Sequence, residues 1–353
     1  MRVVSSSPHV HATMDIKKSM IYVVIALLPS ALWGVWAFGL RALLVLTVSI
    51  VSAVLAEFLL GFVSKERTIN DCSALVTGLL VGMNMSPSIP LYIPILASFF
   101  AIVVVKWTFG GLGCNWVNPA LAGRVFVFFS FTSAMSTFAP PRALAVDTFS
   151  MATPLSSAKT AISSGVQHLN YEGLLSQAGM SSSSFATTIS RLTGISPYTV
   201  DAFIGNIPGC IGEVSALLLI VGGLFLIFTK VITWHIPLVY LSSFALLSWI
   251  FGGLSAGNGL FHGEILMPLF TGGLMLGAFF MATDWVTTPN TIKGQVIFAL
   301  GCGFFTFLIR YFGSLPEGVS LAIILMNILT PTIDRFVKPK KFGYVKVKKE
   351  KKA

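Results

Sequence analysis

The stretch SALVTGLLVGMNMSP, residues 73–87, is apolar from Ser73 to Met83 and then stops at Asn84, Ser86 and Pro87. A helix needs roughly 20 residues to cross a bilayer, so this run reads as a half-span. Its counterpart lies near residues 267–282 and ends at Asp284, ahead of Thr287-Thr288-Pro289. Each half-span is followed by a long apolar stretch. Each long stretch then leads through a Phe-Gly turn, Phe109-Gly110-Gly111 or Phe312-Gly313, into another short segment.

Working outward, apolar segments fall near 20–38, 42–62, 73–83, 91–109 and 118–133, then 214–229, 234–252, 267–282, 293–312 and 318–333. The first, second, fourth, seventh and ninth have span length; the others are short and bounded by Gly, Pro or Asn. Five is odd, so a second set of five enters the membrane from the opposite side, which makes an inverted repeat. The expected fold is an all-α integral membrane protein of about ten transmembrane helices in a five-plus-five inverted repeat with broken half-helices. Half-helices in matching positions line a buried site or pathway; the plainer alternative is that Pro and Gly merely kink ordinary helices.

Composition agrees. Of 353 residues, 55% are hydrophobic and 10% charged, against about 25% charged in soluble domains, and the mean hydropathy is +0.84. The formal charge of +10 looks like a nucleic-acid signal until it is located: the tail from Lys338 holds eight lysines and one glutamate. A basic cluster just after the last apolar segment reads as a cytoplasmic membrane-surface tail, and no aromatic-basic motif accompanies it. Residues 1–19 are polar, and the first apolar stretch has no cleavage site after it, so a retained first helix is expected. Cys72, Cys114, Cys210 and Cys302 are far apart and the five histidines are scattered, so neither a disulfide framework nor a metal site is expected.

With both termini inside, the inner side collects Lys17, Lys18, Lys65, Arg67, Lys106, Lys230, Lys293 and the tail. The outer side has Arg41, Arg142, Lys159, Arg191 and Arg310, which follows the positive-inside rule. The expected divisions are a cytoplasmic segment (1–19), a first five-helix repeat (20–133), an extracytoplasmic loop (134–213), a second repeat (214–333) and a basic cytoplasmic tail (334–353). The loop is rich in Ser, Thr, Ala and Gly, with a run at 181–184. A flexible linker is the simple reading, although loops beyond about 12–15 residues are usually functional or disordered.

Inside the loop stands Asp147-Thr148-Phe149-Ser150-Met151-Ala152-Thr153-Pro154. From the residues alone it is a turn, with Pro154 holding Thr153 extended. It also resembles the flavinylation motif Asp-x-x-Ser/Thr-Gly-Ala-Thr, matching at Asp147, Ser150, Ala152 and Thr153, with Met151 in place of Gly. Further stretches in order carry a wider resemblance. They are Ser5-Ser6-Ser7-Pro8-His9, Gly110-Gly111-Leu112-Gly113-Cys114-Asn115, Asn118-Pro119-Ala120, Gly123-Arg124, Gly205-Asn206-Ile207-Pro208-Gly209, Gly212-Glu213, Met281-Ala282-Thr283-Asp284 and Pro316-Glu317-Gly318-Val319-Ser320. Over nearly its whole length the chain is similar to the family that joins the D subunit of Rnf electron-transport complexes to the B subunit of the sodium-pumping NADH:quinone reductase. The absence of a longer N-terminal extension places it nearer the Rnf branch.

That resemblance implies FMN held on Thr153 by a phosphoester and placed there by a separate flavin transferase, with Asp147 orienting the acceptor or binding the transferase's metal ion. It implies electron relay among iron–sulfur and flavin subunits of a bacterial inner-membrane complex that moves Na⁺ or H⁺, an ion-translocating oxidoreductase. It also implies that Asn115, Asn118 and Arg124 help hold a second, non-covalent flavin such as riboflavin. For Arg124 the alternative is pairing with a backbone carbonyl. Asp71 and Asp284 read as helix-end residues or members of an ion path, and Glu213 as a carboxylate favoured at a helix start. Glu57 reads as snorkelling toward Lys65 or Arg67, without a role. The competing function is a small-solute channel or transporter of the same architecture without flavin.

Overall fold

The computed structural model describes residues 15–64, 69–144, 151–164, 170–177, 179–255 and 257–339. The first half supplies α1 (Ile16–Phe38), α2 (Leu40–Ser64), α3 (Ser73–Met83), α4 (Tyr92–Phe99, continued as a π-helix over Phe100–Trp107), α5 (Pro119–Ser130) and the single turn α6 (Thr132–Met135). Then come four short helices: α7 (Pro154–Ser163), α8 (Tyr171–Gln177), α9 (Ser184–Thr193) and α10 (Pro197–Ile204). The second half holds α11 (Ala216–Phe228), α12 (His235–Ser255), α13 (Leu266–Phe270), α14 (Leu274–Leu276, continued as a π-helix over Gly277–Met281), α15 (Ile292–Phe312) and α16 (Val319–Phe336).

Five of these, α1, α2, α12, α15 and α16, are long and apolar enough to cross a membrane, and α3, the α4 segment, α5 and α11 are shorter apolar helices. The remaining apolar segment, the eighth in chain order, is broken between α13 and α14 at Gly272 and Gly273, both with positive φ. Large apolar side chains such as Leu32, Trp36, Phe62 and Phe228 stand exposed, as a lipid-facing surface requires. In each half the second helix packs on the fourth, α2 on α4 and α12 on α15, and the halves meet where α1 lies on α11 and α5 on α16. At the first seam Gly222 faces the Ala26 carbonyl so closely that a Cβ would collide with it. Small residues at such crossings let helix backbones approach, and the dense packing that results takes the place of a hydrophobic drive inside lipid.

The segment between the halves is not the flexible linker its composition suggests. Leu175 of α8 and Ala202 of α10, with Met180 and Ile207 from the connecting chain, bury a small core against Met267. The serine run is part of that structure. Ser183 caps α9 by accepting from the Ala186 amide (3.2 Å), and its own amide and hydroxyl donate to the Asp201 carboxylate at 2.8 and 2.5 Å. Burial pushes the Asp201 carboxyl above its usual range, against the pull of the hydrogen bonds from Ser183 and Asn206.

Glu57 corrects its expectation. It does not reach toward water; it is fully buried, and Lys106 Nζ donates to its two oxygens at 2.7 and 2.8 Å and to Ser73 Oγ at 2.6 Å. Lys65 and Arg67 lie outside the described residues. Arg310, assigned above to the outer face, is likewise buried and donates to the carbonyls of Pro268 (2.6 Å), Thr271 (3.0 Å) and Gly272 (2.8 Å), where the eighth segment is broken. Both cations are internal staples rather than interfacial charges. Glu57→Gln or Lys106→Met alone is expected to destabilise the protein by about 3–5 kcal/mol, because one partner of a buried pair is orphaned, and the double variant Glu57→Gln/Lys106→Met by less than the sum. Thermal unfolding of the three variants in detergent checks this; additive losses would dismiss the pairing.

Candidate cofactor and ion-path site

The polar groups that matter converge where the two halves meet. Helix α5 starts at Asn118, whose Oδ1 caps the amides of Ala120 (3.0 Å) and Leu121 (3.4 Å), with Pro119 set for the first helical position. Arg124 follows on the second turn and is 7% exposed. Among the described residues its partners are side chains rather than a backbone carbonyl. Nη1 donates to Asn84 Oδ1 (2.8 Å) and Ser320 Oγ (3.0 Å), while Nη2 donates to Glu317 Oε2 (2.6 Å) and lies 3.1 Å from Glu213 Oε1. One guanidinium thus ties α5 to the end of α3, the start of α16 and the approach to α11. Glu213 is no simple helix-start carboxylate: it reaches this cluster because Gly273 has no side chain, and a Cβ there would stand 2.5 Å from its Oε1. Burial and the neighbouring Glu317 oppose the charged form of Glu213, while Arg124 and, from the neighbouring staple, Arg310 favour it.

From Arg124 the polar contacts run in one direction to a cavity. The Asn84 amide donates to Leu80 O (2.7 Å) and touches Met281 Sδ (3.8 Å), and Asn118 Nδ2 donates to Met281 O (3.2 Å). Beyond Asn118 opens a mainly apolar cavity of about 270 Å³, bordered by Met20, Lys106, Asn115, Asn118, Phe280 and Asp284. Asn115 donates to Val117 O (3.1 Å) and stands beside Asp284. The sequence reading grouped Asn115, Asn118 and Arg124; the fold puts the two asparagines on the cavity wall and turns Arg124 away from it. Asp71 caps α3 by accepting from the amide (2.9 Å) and hydroxyl (2.6 Å) of Ser73. Among the described residues, no three His, Cys, Asp or Glu side chains gather to hold a metal.

In the other direction the Arg124 cluster meets Thr153. Glu213 and Glu317 share with Thr153 and Thr271 a void of about 10 Å³, room for no more than one water. Thr153 is the N-cap of α7: its Oγ1 accepts from the Ser156 amide (3.3 Å) and bonds Ser156 Oγ (3.0 Å). Ala152 beside it is exposed, and the Met151 amide donates to Phe138 O (2.9 Å). Asp147 and Ser150 lie outside the described residues. Two turns along α7, Lys159 Nζ donates to the carbonyls of Arg310 (3.1 Å), Gly313 (2.6 Å) and Leu315 (2.8 Å). Those carbonyls belong to the end of α15 and the turn after it, where orphan acceptors and the helix dipole favour a cation. Burial lowers the Lys159 pKa.

Sequence reasoning missed Asn84, Lys159, Glu317 and Ser320 as working residues. Asn84 could have been found, since a polar residue closing a half-span invites a partner; Glu317 and Ser320 stand in a stretch that carries the resemblance but shows no role by itself, and nothing local marks Lys159. Lys159→Met is expected to free α7 from α15, read as faster cleavage by a protease within residues 151–177, with Lys159→Arg remaining resistant. Equal cleavage of Lys159→Met and wild type would remove Lys159 from its anchoring role.

Residues 3–343 match the NQR2, RnfD, RnfE family. The chain is 43% identical over 344 residues, covering 96% of both chains, to the D subunit of the proton-translocating ferredoxin:NAD(+) oxidoreductase complex of Clostridium ljungdahlii. It is 40% identical over 353 residues, covering 99% of this chain and 98% of the other, to the D subunit of the Na(+)-translocating ferredoxin:NAD(+) oxidoreductase complex of Acetobacterium woodii. A third relative, the D subunit of the ion-translocating oxidoreductase complex of Stutzerimonas stutzeri, is 36% identical over 339 residues, covering 93% of this chain and 92% of the relative. With a match over nearly the whole length and polar groups at the seam of two helical halves, the chain belongs to the NQR2, RnfD, RnfE family.

Proposed function

We propose that this chain is the flavin-carrying membrane subunit of a redox-driven ion pump, relaying electrons between ferredoxin- and NAD-linked partner subunits as Na⁺ or H⁺ is moved. Its relatives' names supply the redox pair and the ions. The observation that carries the reading is the position of the Arg124 cluster, which borders a small void with Thr153 on one side and leads through Asn84 toward Met281, Asn118 and the cavity on the other. FMN bound through its phosphate to Thr153 Oγ1 would supply one- and two-electron transfer. The acceptor position fits such a group in one respect: a phosphoester at an N-cap meets the free amides and positive dipole of a helix start. The void at Thr153 holds no ring system, so the tethered group would lie over exposed Ala152. At about 270 Å³ the inner cavity approaches the ligand-pocket range of roughly 300–1,000 Å³. With Asn115 and Asn118 as polar points on its apolar wall, it suits a second, non-covalent flavin such as riboflavin.

The reading implies iron–sulfur and flavin subunits as partners, a flavin transferase for maturation, and a bacterial cytoplasmic membrane with both termini inside and the Thr153 segment outside. Co-expressed with a flavin transferase and run on a denaturing gel, the chain is expected to fluoresce under ultraviolet light, and Thr153→Ala to be dark. A dark wild-type band, or a fluorescent Thr153→Ala band, would favour the channel reading instead. Asn115→Leu is expected to lose acid-extractable flavin and keep the fluorescent band; unchanged extractable flavin would empty the cavity of that role. A cysteine placed in 160–190 is expected to react with an impermeant thiol reagent in intact cells, and protection there would invert the topology.

A further inference from the structure

The end of α10 brings two polar side chains together inside the polar segment. Gly205, with a φ of +118°, closes the helix, and the amides of Gly205 and Asn206 both donate to Asp201 O, at 2.8 and 2.9 Å. Asn206 is thereby folded back by one turn, and its Nδ2 donates to Asp201 Oδ1 at 3.4 Å. From the start of α9 the Ser183 amide and hydroxyl donate to the same carboxylate. Asp201 is 2% exposed and Asn206 8%. Hydrogen bonds aimed at a carboxylate favour its ionised form. Yet among the described residues no lysine, arginine or histidine pairs with Asp201, and Asn206 Oδ1 has no hydrogen-bond partner.

A buried charge is costly unless it is paired or binds a metal, and a buried amide oxygen without a donor adds to that cost. Asp201 and Asn206 border one void of about 10 Å³, room for a single particle the size of water. Tyr198 borders it too. Its hydroxyl donates to Met180 O at 2.9 Å, which leaves the lone pairs of the phenol oxygen for a ligand. Ser181, exposed to solvent, is the edge through which an ion enters. A water there would satisfy Asn206 and leave the charge of Asp201 uncompensated, whereas a cation answers both. Carboxylate, amide and hydroxyl oxygens suit a hard cation, and one carboxylate balances one unit of charge.

We propose that Asp201 and Asn206 bind a monovalent cation of the sodium class, with oxygens of Tyr198 and Ser181 in its shell. The ion joins the start of α9 to the end of α10. Pro154, Ile207 and Pro208 border both this void and the one beside Thr153, so the cation also steadies the turn against which α7 begins. It is a fixed ligand of the polar segment, and the site requires neither flavin nor ion transport.

Trypsin has a single target between Lys159 and Lys230, the exposed Arg191 of α9, and cleavage there reports local opening of α9. With the full-length chain purified in detergent, sodium chloride is expected to slow cleavage at Arg191 at least tenfold relative to equimolar choline chloride. Asp201→Asn and Asn206→Leu are each expected to be cut equally fast in the two salts. The ratio between salts is read within each variant, so a general loss of stability does not mimic the result. Should Asp201→Asn fail to accumulate, Asn206→Leu carries the comparison. Wild type cut at one rate in both salts overturns the proposal and assigns the void to water. Sodium protection that persists in both variants overturns it by placing the ion elsewhere. Protection gained on acidification but not from sodium overturns it by placing a proton on Asp201.

Discussion

The architecture turns on one buried guanidinium. Arg124 is the point where α5 of the first half, the end of α3, the chain leading to α11 and the start of α16 are held together. A charge at this depth is costly unless it is paired and its donors are used; here two carboxylates, an amide oxygen and a hydroxyl share it. The arrangement explains features that look unrelated in sequence. Gly273 must lack a side chain for Glu213 to approach, and the eighth segment must break there. Arg310 hydrogen-bonds the carbonyls of Pro268, Thr271 and Gly272 and holds the break in place.

The same cluster gives the reading of function its physical content. A redox group can drive an ion only if its charge state biases two arrangements of the protein. Thr153 shares a void with Glu213 and Glu317, and α7 is fastened by Lys159 to the turn that delivers Glu317. A change of charge on Thr153 would thus be felt by the side chains that join the two halves. The long polar segment is an element of the fold, packed on a small core shared with Met267 of α13.

Much of the fold was legible because membrane segments obey a simple length rule. Nine of the ten apolar runs reappear as single helical segments within a few residues of their expected limits, including the half-span Ser73–Met83, while the eighth is split in two and the tenth rather than the fourth has span length. The pairing of charges was not legible. Glu57 and Lys106 are 49 residues apart, and nothing near Glu57 distinguishes a snorkelling carboxylate from a buried one. An arginine inside an apolar segment needs a partner, but Glu317 lies 193 residues from Arg124. The helices of the polar segment were hidden by composition: serine and threonine read as linker residues when counted, and as helix caps only when their positions are known. Thr153 and Ser183 both cap helices.

The π-helical stretch Phe100–Trp107 has a consequence for how this family can vary. An α-helix advances about 100° per residue, so a single inserted or deleted position rotates everything beyond it by that angle. The widened turns here set the phase that brings Lys106 inward to Glu57. Deleting one residue from the α-helical turns ahead of Phe100 would swing the same lysine about 100° around the helix axis. The ion pair is therefore protected less by the identity of its neighbours than by the count of residues ahead of it. A homologue that shortened this helix would have to relocate the cation or give up the pair.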